Sequence, residues 1–101
     1  MSAAQGEIVT AAANGTVRTI YEDNSLGMTV VLAHADGYTT HYSNLAEDIP
    51  VSVGDTVAAG STLGTVGQTA NTETAIASHL HFAVYKDNAP VDPAEFFAKA
   101  E

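Results

Sequence analysis

The sequence predicts an all-β domain in which short antiparallel strands are joined by glycine-rich hairpins and followed by a short C-terminal helix. Three observations carry that prediction. Ten valines, four isoleucines and twelve threonines among 101 residues favour an extended backbone. The pairs Asn14-Gly15 and Asp36-Gly37 fall between such runs, where tight hairpin turns use them. Gly54, Gly60, Gly64 and Gly67 are interleaved with single large apolar residues, a spacing suited to short strands whose backbones approach closely.

The elements follow in order. Glu7 to Ala12 reads as a first strand, ended by Asn14-Gly15. Thr16 to Tyr21 alternates Val17, Thr19 and Tyr21 against Thr16, Arg18 and Ile20, the period of a half-exposed strand. A polar turn over Glu22 to Ser25 precedes Met28 to Ala33, an apolar run too short for a helix. A two-residue loop at Asp36-Gly37 places Ala35 opposite Tyr38 and Leu32 opposite His41, with His34 and His41 on one face. Residues 45–50 leave the sheet, and Pro50 disfavours a helix there. Residues 68–78 are small and polar, a loop with room for one helical turn around Glu73 to Ala77. Leu80 to Tyr85 is a strand, and Lys86-Asp87-Asn88 a turn. Val91-Asp92-Pro93 opens the terminal helix, with Asp92 as N-cap, Pro93 at the first helical position and Phe96-Phe97 as its anchor.

One domain over residues 1–101 is what this length accommodates. Apolar residues make up 46%, but eighteen are alanine, so the few large side chains must nearly all be buried. Three basic residues against twelve acidic ones give a net charge of −9, which argues against nucleic acid or an anionic membrane surface as partner. No apolar run approaches the roughly 18–20 residues of a membrane span. The absence of cysteine excludes disulfides, thiolate zinc sites and cysteine nucleophiles.

Four histidines carry the reactive potential. His79 and His81 are two apart at the start of a predicted strand, so their side chains share a face about 6–7 Å apart and can reach one metal or one substrate. A bare His-x-His is more often an ordinary hydrogen-bonded pair. His34 and His41 beside the turn read more readily as surface residues than as a site. The scattered carboxylates single out no catalytic pair, and Ser43, Ser61 and Ser78 lack a nucleophile-elbow context.

The ordered series IVTAAANGTV (8–17), HADGYTTHYSNL (34–45), VGDTVAAGSTLGTVG (53–67), His79-Leu80-His81-Phe82 and Val91-Asp92-Pro93 resembles the LytM domain of lysostaphin-type, zinc-dependent peptidoglycan endopeptidases. The resemblance runs from residue 6 onward. It implies a β-sheet domain with a groove, and a zinc held by an upstream His-x-x-x-Asp and by the second histidine of His-x-His. It thereby matches His81 to a metal ligand and His79 to a catalytic histidine. The family's other catalytic histidine, in Tyr-x-His-Leu, falls on Asn44 of Tyr42-Ser43-Asn44-Leu45, where Tyr42 is a candidate binding residue. The upstream Asp would fall at or just before Met1, so one expectation is that the motif lies immediately upstream of Met1.

Two donors fall short of the three protein ligands that a catalytic zinc needs. Asparagine cannot shuttle a proton, and acid–base work of that kind is worth about 10²–10⁴ in rate. His41, three residues from Asn44, could stand in for it only across a bulge. The Tyr-x-Asn-Leu pattern further resembles the stage II sporulation protein Q family, which implies a non-catalytic, extracytoplasmic module that pairs with a protein partner or binds peptidoglycan, without zinc or another cofactor. The alternative is a zinc endopeptidase whose missing ligands lie upstream. A third reading, a lipoate- or biotin-carrier domain, fails because neither Lys86 nor Lys99 sits at the tip of a hairpin between two glycine-rich segments.

Overall fold

The computed structural model describes residues 6–24, 26–67 and 81–94, without the side chain of His81. Its strands are β1 (Ile8–Thr10), β2 (Gly15–Asp23), β3 (Gly27–Ala33), β4 (Tyr38–Leu45), β5 (Thr56–Val57), β6 (Thr62–Thr65), β7 (His81–Lys86) and β8 (Ala89–Val91). Six form an antiparallel sheet in the order β5-β2-β3-β4-β7-β8, while β1 and β6 make a separate two-stranded ribbon. A bridge between Leu45 and Val66 ties the ribbon to the end of β4. The all-β expectation holds. The first strand is shorter than expected, and β8, an edge strand containing Pro90, escaped the pattern because three residues are too few to show a period.

One face of the main sheet packs against the ribbon. Val17, Val30, Leu32, Tyr42 and Leu45 meet Val9, Leu63 and Val66 in a single core, with Phe82 and Ile20 at its margin. Each fully buried Val or Leu there stabilises the fold by about 1.5–3 kcal/mol relative to exposure. The opposite face carries Thr29, Val31, Thr39 and Ser43 and supports the candidate site.

Two bulges decide which side chains reach that second face. In β2, Val17 pairs with Leu32 and Thr19 with Val31, leaving Arg18 as an extra residue. The expected alternation therefore breaks: Val17 and Ile20 turn to the core, while Thr19 and Tyr21 line the other face. In β4, Met28 pairs with Leu45 and Val30 with Tyr42, so Ser43 and Asn44 together oppose Thr29. That extra residue lets Tyr42 and Leu45, three apart, share the core.

The hairpin between β3 and β4 also corrects the sequence reading. Asp36 and Gly37 do take positive φ, 63° and 80°, and the Tyr38 N–H donates to the Ala35 carbonyl. The ladder nevertheless resumes one residue out of step. The His34 N–H donates to the Tyr38 carbonyl, and Leu32 pairs with Thr40 rather than His41. A one-residue offset reverses the face of every following side chain. His34 consequently lies with Thr40, and His41 on the face of Val31.

The turn at Asp87-Asn88 behaves as expected, with both residues at positive φ between paired Lys86 and Ala89. Pro93 and Ala94 begin a helix, and the Ala94 N–H donates to Asp92 Oδ1 at 2.9 Å, the cap expected from sequence. The expected continuation of that helix over Phe96-Phe97, and the loop with one helical turn expected at 68–78, fall on residues outside those described.

Candidate functional site

Asn44 sits where β4 leaves regular extension. Its φ of 65° is left-handed, a conformation that asparagine tolerates better than most residues. The backbone is held on both sides: the Asn44 N–H donates to the Leu26 carbonyl at 2.9 Å, and the Asn44 carbonyl accepts from the Gly67 N–H at 2.8 Å. Gly67 is required for that approach, since a Cβ there would stand 2.6 Å from the Ala46 nitrogen. Asn44 is 2% exposed.

Tyr42 points the other way, into the core. Its hydroxyl accepts from the Ala12 N–H at 3.0 Å and from Thr40 Oγ1 at 2.9 Å, and its ring meets Phe82 edge-on at 5.3 Å. Burial pushes its phenol above the usual tyrosine range, against the opposing pull of those two hydrogen bonds. With 1% of its surface exposed, Tyr42 presents nothing to a ligand and acts as a core strut. His34 extends the same network. Its Nδ1 donates to the Asn14 carbonyl at 2.7 Å, and its Nε2 lies 2.7 Å from Thr40 Oγ1. The absence of a side chain at Gly15 makes room for that imidazole.

On the opposite face, Arg18, Tyr21, Thr39, His41, Tyr85 and Asn88 surround a hollow of about 410 Å³. His41 packs against Tyr85, with ring centroids 4.5 Å apart, and its Nε2 is 3.5 Å from Thr39 Oγ1. Burial, then the nearby Arg18 charge, lower its pKa below the usual histidine range, so the ring is neutral at pH 7. The β4 bulge that a substitution of His41 for the missing histidine would need is present. It does not bring the two together, because His41 is committed to Tyr85 and Thr39 in a hollow that Asn44 does not line. Sequence reading passed over this hollow, since Arg18 enters it only through the β2 bulge.

Of the histidines matched to chemistry, His79 lies outside the described residues. The backbone of His81 pairs with Ser43 at the start of β7. Among the described residues, no three His, Asp or Glu side chains gather as metal donors. No His in the sequence is followed four residues later by Asp, so the His-x-x-x-Asp motif to which the resemblance gives two of the three zinc ligands does not occur within these 101 residues. No hydrolytic step is assigned to them.

A family model described as peptidase family M23 matches residues 1–93. The chain belongs to peptidase family M23. This M23 chain is 35% identical to stage II sporulation protein Q of Bacillus subtilis (strain 168) over 91 residues, which are 90% of this chain and 31% of that protein. It thus spans about a third of the length of that curated relative. A solved complex of SpoIIIAH and SpoIIQ contains a chain 34% identical, with a TM-score of 0.76 over 88% of this chain and 61% of that one. The catalytic domain of the antimicrobial peptidase lysostaphin from Staphylococcus simulans is 28% identical, with a TM-score of 0.80 over 95% of this chain and 74% of that one. The M23 fold is therefore shared with both a peptidase and a component of a protein complex. No helix among the described residues is long and apolar enough to cross a membrane.

Proposed function

We propose that this M23 domain is a non-catalytic module that faces the outside of the cytoplasm and binds a protein partner there. The observation that carries the reading is Asn44. It stands at the position the family resemblance gives to a catalytic histidine, is buried, and has its backbone fixed by Leu26 and Gly67. An amide at that position cannot exchange a proton near neutral pH. The likeness to SpoIIQ, a chain solved in complex with SpoIIIAH, supports a protein rather than a scissile bond as the ligand.

A second reading, a zinc endopeptidase acting on peptidoglycan cross-links, is favoured by family membership and by the likeness to lysostaphin. It keeps His81 as a metal ligand and His79 as the catalytic histidine, and it requires further ligands from upstream residues. The two readings separate on the chain extended by its native upstream residues. Zinc content is measured by mass spectrometry, and release of soluble muropeptides from purified murein is followed by chromatography. The module reading expects neither stoichiometric zinc nor release, with or without Asn44→His. Zinc-dependent cleavage by the unaltered protein would replace it with the second reading.

A further inference from the structure

We propose that the hollow beside His41 is a docking pocket for a carboxylate side chain, Asp or Glu, on an extended segment of the protein partner. The proposal rests on the module reading and specifies how such a partner is gripped.

Three features of the hollow point to an anionic occupant. Nine of the chain's twelve acidic residues are among the described residues, and none of these nine lines this hollow. One of its three basic residues, Arg18, does line it, and among the described residues Arg18 makes no ion pair. The β2 bulge is what delivers that guanidinium. In a regular strand Arg18 and Thr19 would face opposite sides of the sheet; here both line the same hollow. A guanidinium presents a planar fork of N–H donors that matches a carboxylate with two parallel hydrogen bonds.

The remaining walls suit the stem of such a side chain. The Tyr85 ring packs on His41, and Tyr21, 40% exposed, offers a second aromatic wall. Thr39 and Asn88 add further polar residues to the lining. A neutral His41 leaves Arg18 as the charged group among the described lining residues, with no carboxylate among them to oppose an incoming negative charge. At about 410 Å³ the hollow holds one side chain and its adjoining backbone. The pocket shares its sheet face with Ser43, whose register partner is His81, so a chain laid along that face passes the site inherited from the peptidase fold.

The test is an NMR titration of the ¹⁵N-labelled 101-residue chain with acetyl-Ala-Glu-Ala-amide and, separately, with acetyl-Ala-Gln-Ala-amide. The expected result is a saturable shift at Arg18 Nε–H and at the amides of Thr39, His41 and Tyr85 with the Glu peptide. The Gln peptide should bind at least tenfold more weakly. Arg18→Gln should weaken the Glu peptide at least tenfold and Arg18→Lys by less, with the core amides of Leu32 and Leu63 unmoved as evidence of an intact fold. Equal response to the two peptides, or indifference to Arg18→Gln, would overturn the pocket. A purified disaccharide-tetrapeptide binding the same residues tenfold more tightly than the Glu peptide would overturn the choice of a protein occupant. Loss of the module reading would instead show as murein cleavage, which this titration does not measure, so the two failures are distinguishable.

Discussion

At the scale of single residues, Tyr42 and Asn44 are two positions apart in the sequence pattern yet have separate duties. Asn44 is held in a left-handed conformation that a β-branched side chain resists. Asn44→Val should therefore cost at least about 1–2 kcal/mol in urea unfolding, whereas Asn44→Gly should cost less from backbone strain. Tyr42→Phe removes the acceptor for the Ala12 N–H and for Thr40 Oγ1 in a largely dry setting. A loss of about 1–3 kcal/mol is expected. The raised phenol also sets a pH dependence. The unfolded chain loses the Tyr42 proton near the ordinary pKa of 10.0 while the folded chain keeps it. Stability is thus full below that pH and falls as pH rises from there toward the folded value. Tyr42→Phe should reduce the alkaline slope of the unfolding midpoint. His41 has the opposite sign. Its lowered pKa means that the unfolded chain takes up the proton first as pH falls below 6.5, so that this contribution is lost on acidification. His41→Gln should flatten that part of the profile, and an unchanged slope would mean that the ring is not held neutral by its surroundings.

At the scale of elements, irregularities in the ladder matter more than the strands themselves. Strand identity was legible because Val, Ile and Thr runs are bounded by Asn-Gly and Asp-Gly pairs, and the capped helix start was legible because Asp92-Pro93 is a local signal. The face each side chain takes was not. Period-two reading placed Arg18 opposite Thr19, and hairpin rules placed His34 with His41, yet one extra residue in each case reversed the assignment. A bulge leaves little mark on a single sequence, because it is fixed by what packs across the sheet. The candidate site divided in the same way. Its degenerate position, Asn44, was readable from the Tyr-x-Asn-Leu pattern, whereas the hollow behind Arg18 was not. The joint between β4 and β6 gives a direct check on this element-level view. Gly67 donates to the Asn44 carbonyl, and its missing Cβ lets the backbone at Ala46 come close. Gly67→Ala must push that backbone away, at a cost of about 1–3 kcal/mol. Amide hydrogen exchange should show the loosening first at Asn44 and Ala46, while β2 and β3 keep their protection.

At the scale of the whole molecule, a small core is set against a large excess of one charge. Leu32, Leu45 and Leu63 are fully buried in a cluster joining the six-stranded sheet to the ribbon, so Leu63→Ala should cost about 2–5 kcal/mol. A loss of that size is a substantial fraction of the stability of a domain this small. The net charge of −9 acts against the same core at long range. The molecule measures 36 × 25 × 21 Å, so its charges interact across most of its width at about 0.01 M salt, where the screening length is roughly 30 Å. At physiological ionic strength the length falls to about 8 Å, and the repulsion between distant carboxylates is largely removed. The urea midpoint should consequently rise as sodium chloride increases from about 0.01 to 0.15 M. The rise should be smaller in a variant that replaces exposed Glu47 and Asp48 with Asn or Gln. The same field bears on docking. A partner that places one carboxylate against Arg18 approaches a negatively charged protein, so its remaining contact surface must be neutral or basic for encounter to be favourable. Association with such a basic partner should slow as salt is raised, whereas the local grip of Arg18 on the carboxylate, acting over a distance shorter than the screening length, should lose less to screening than the encounter does. Stopped-flow association and dissociation rates across the same salt range separate the two effects. A dissociation rate that rises more steeply with salt than the association rate falls would place the main attraction at Arg18 rather than in the long-range field.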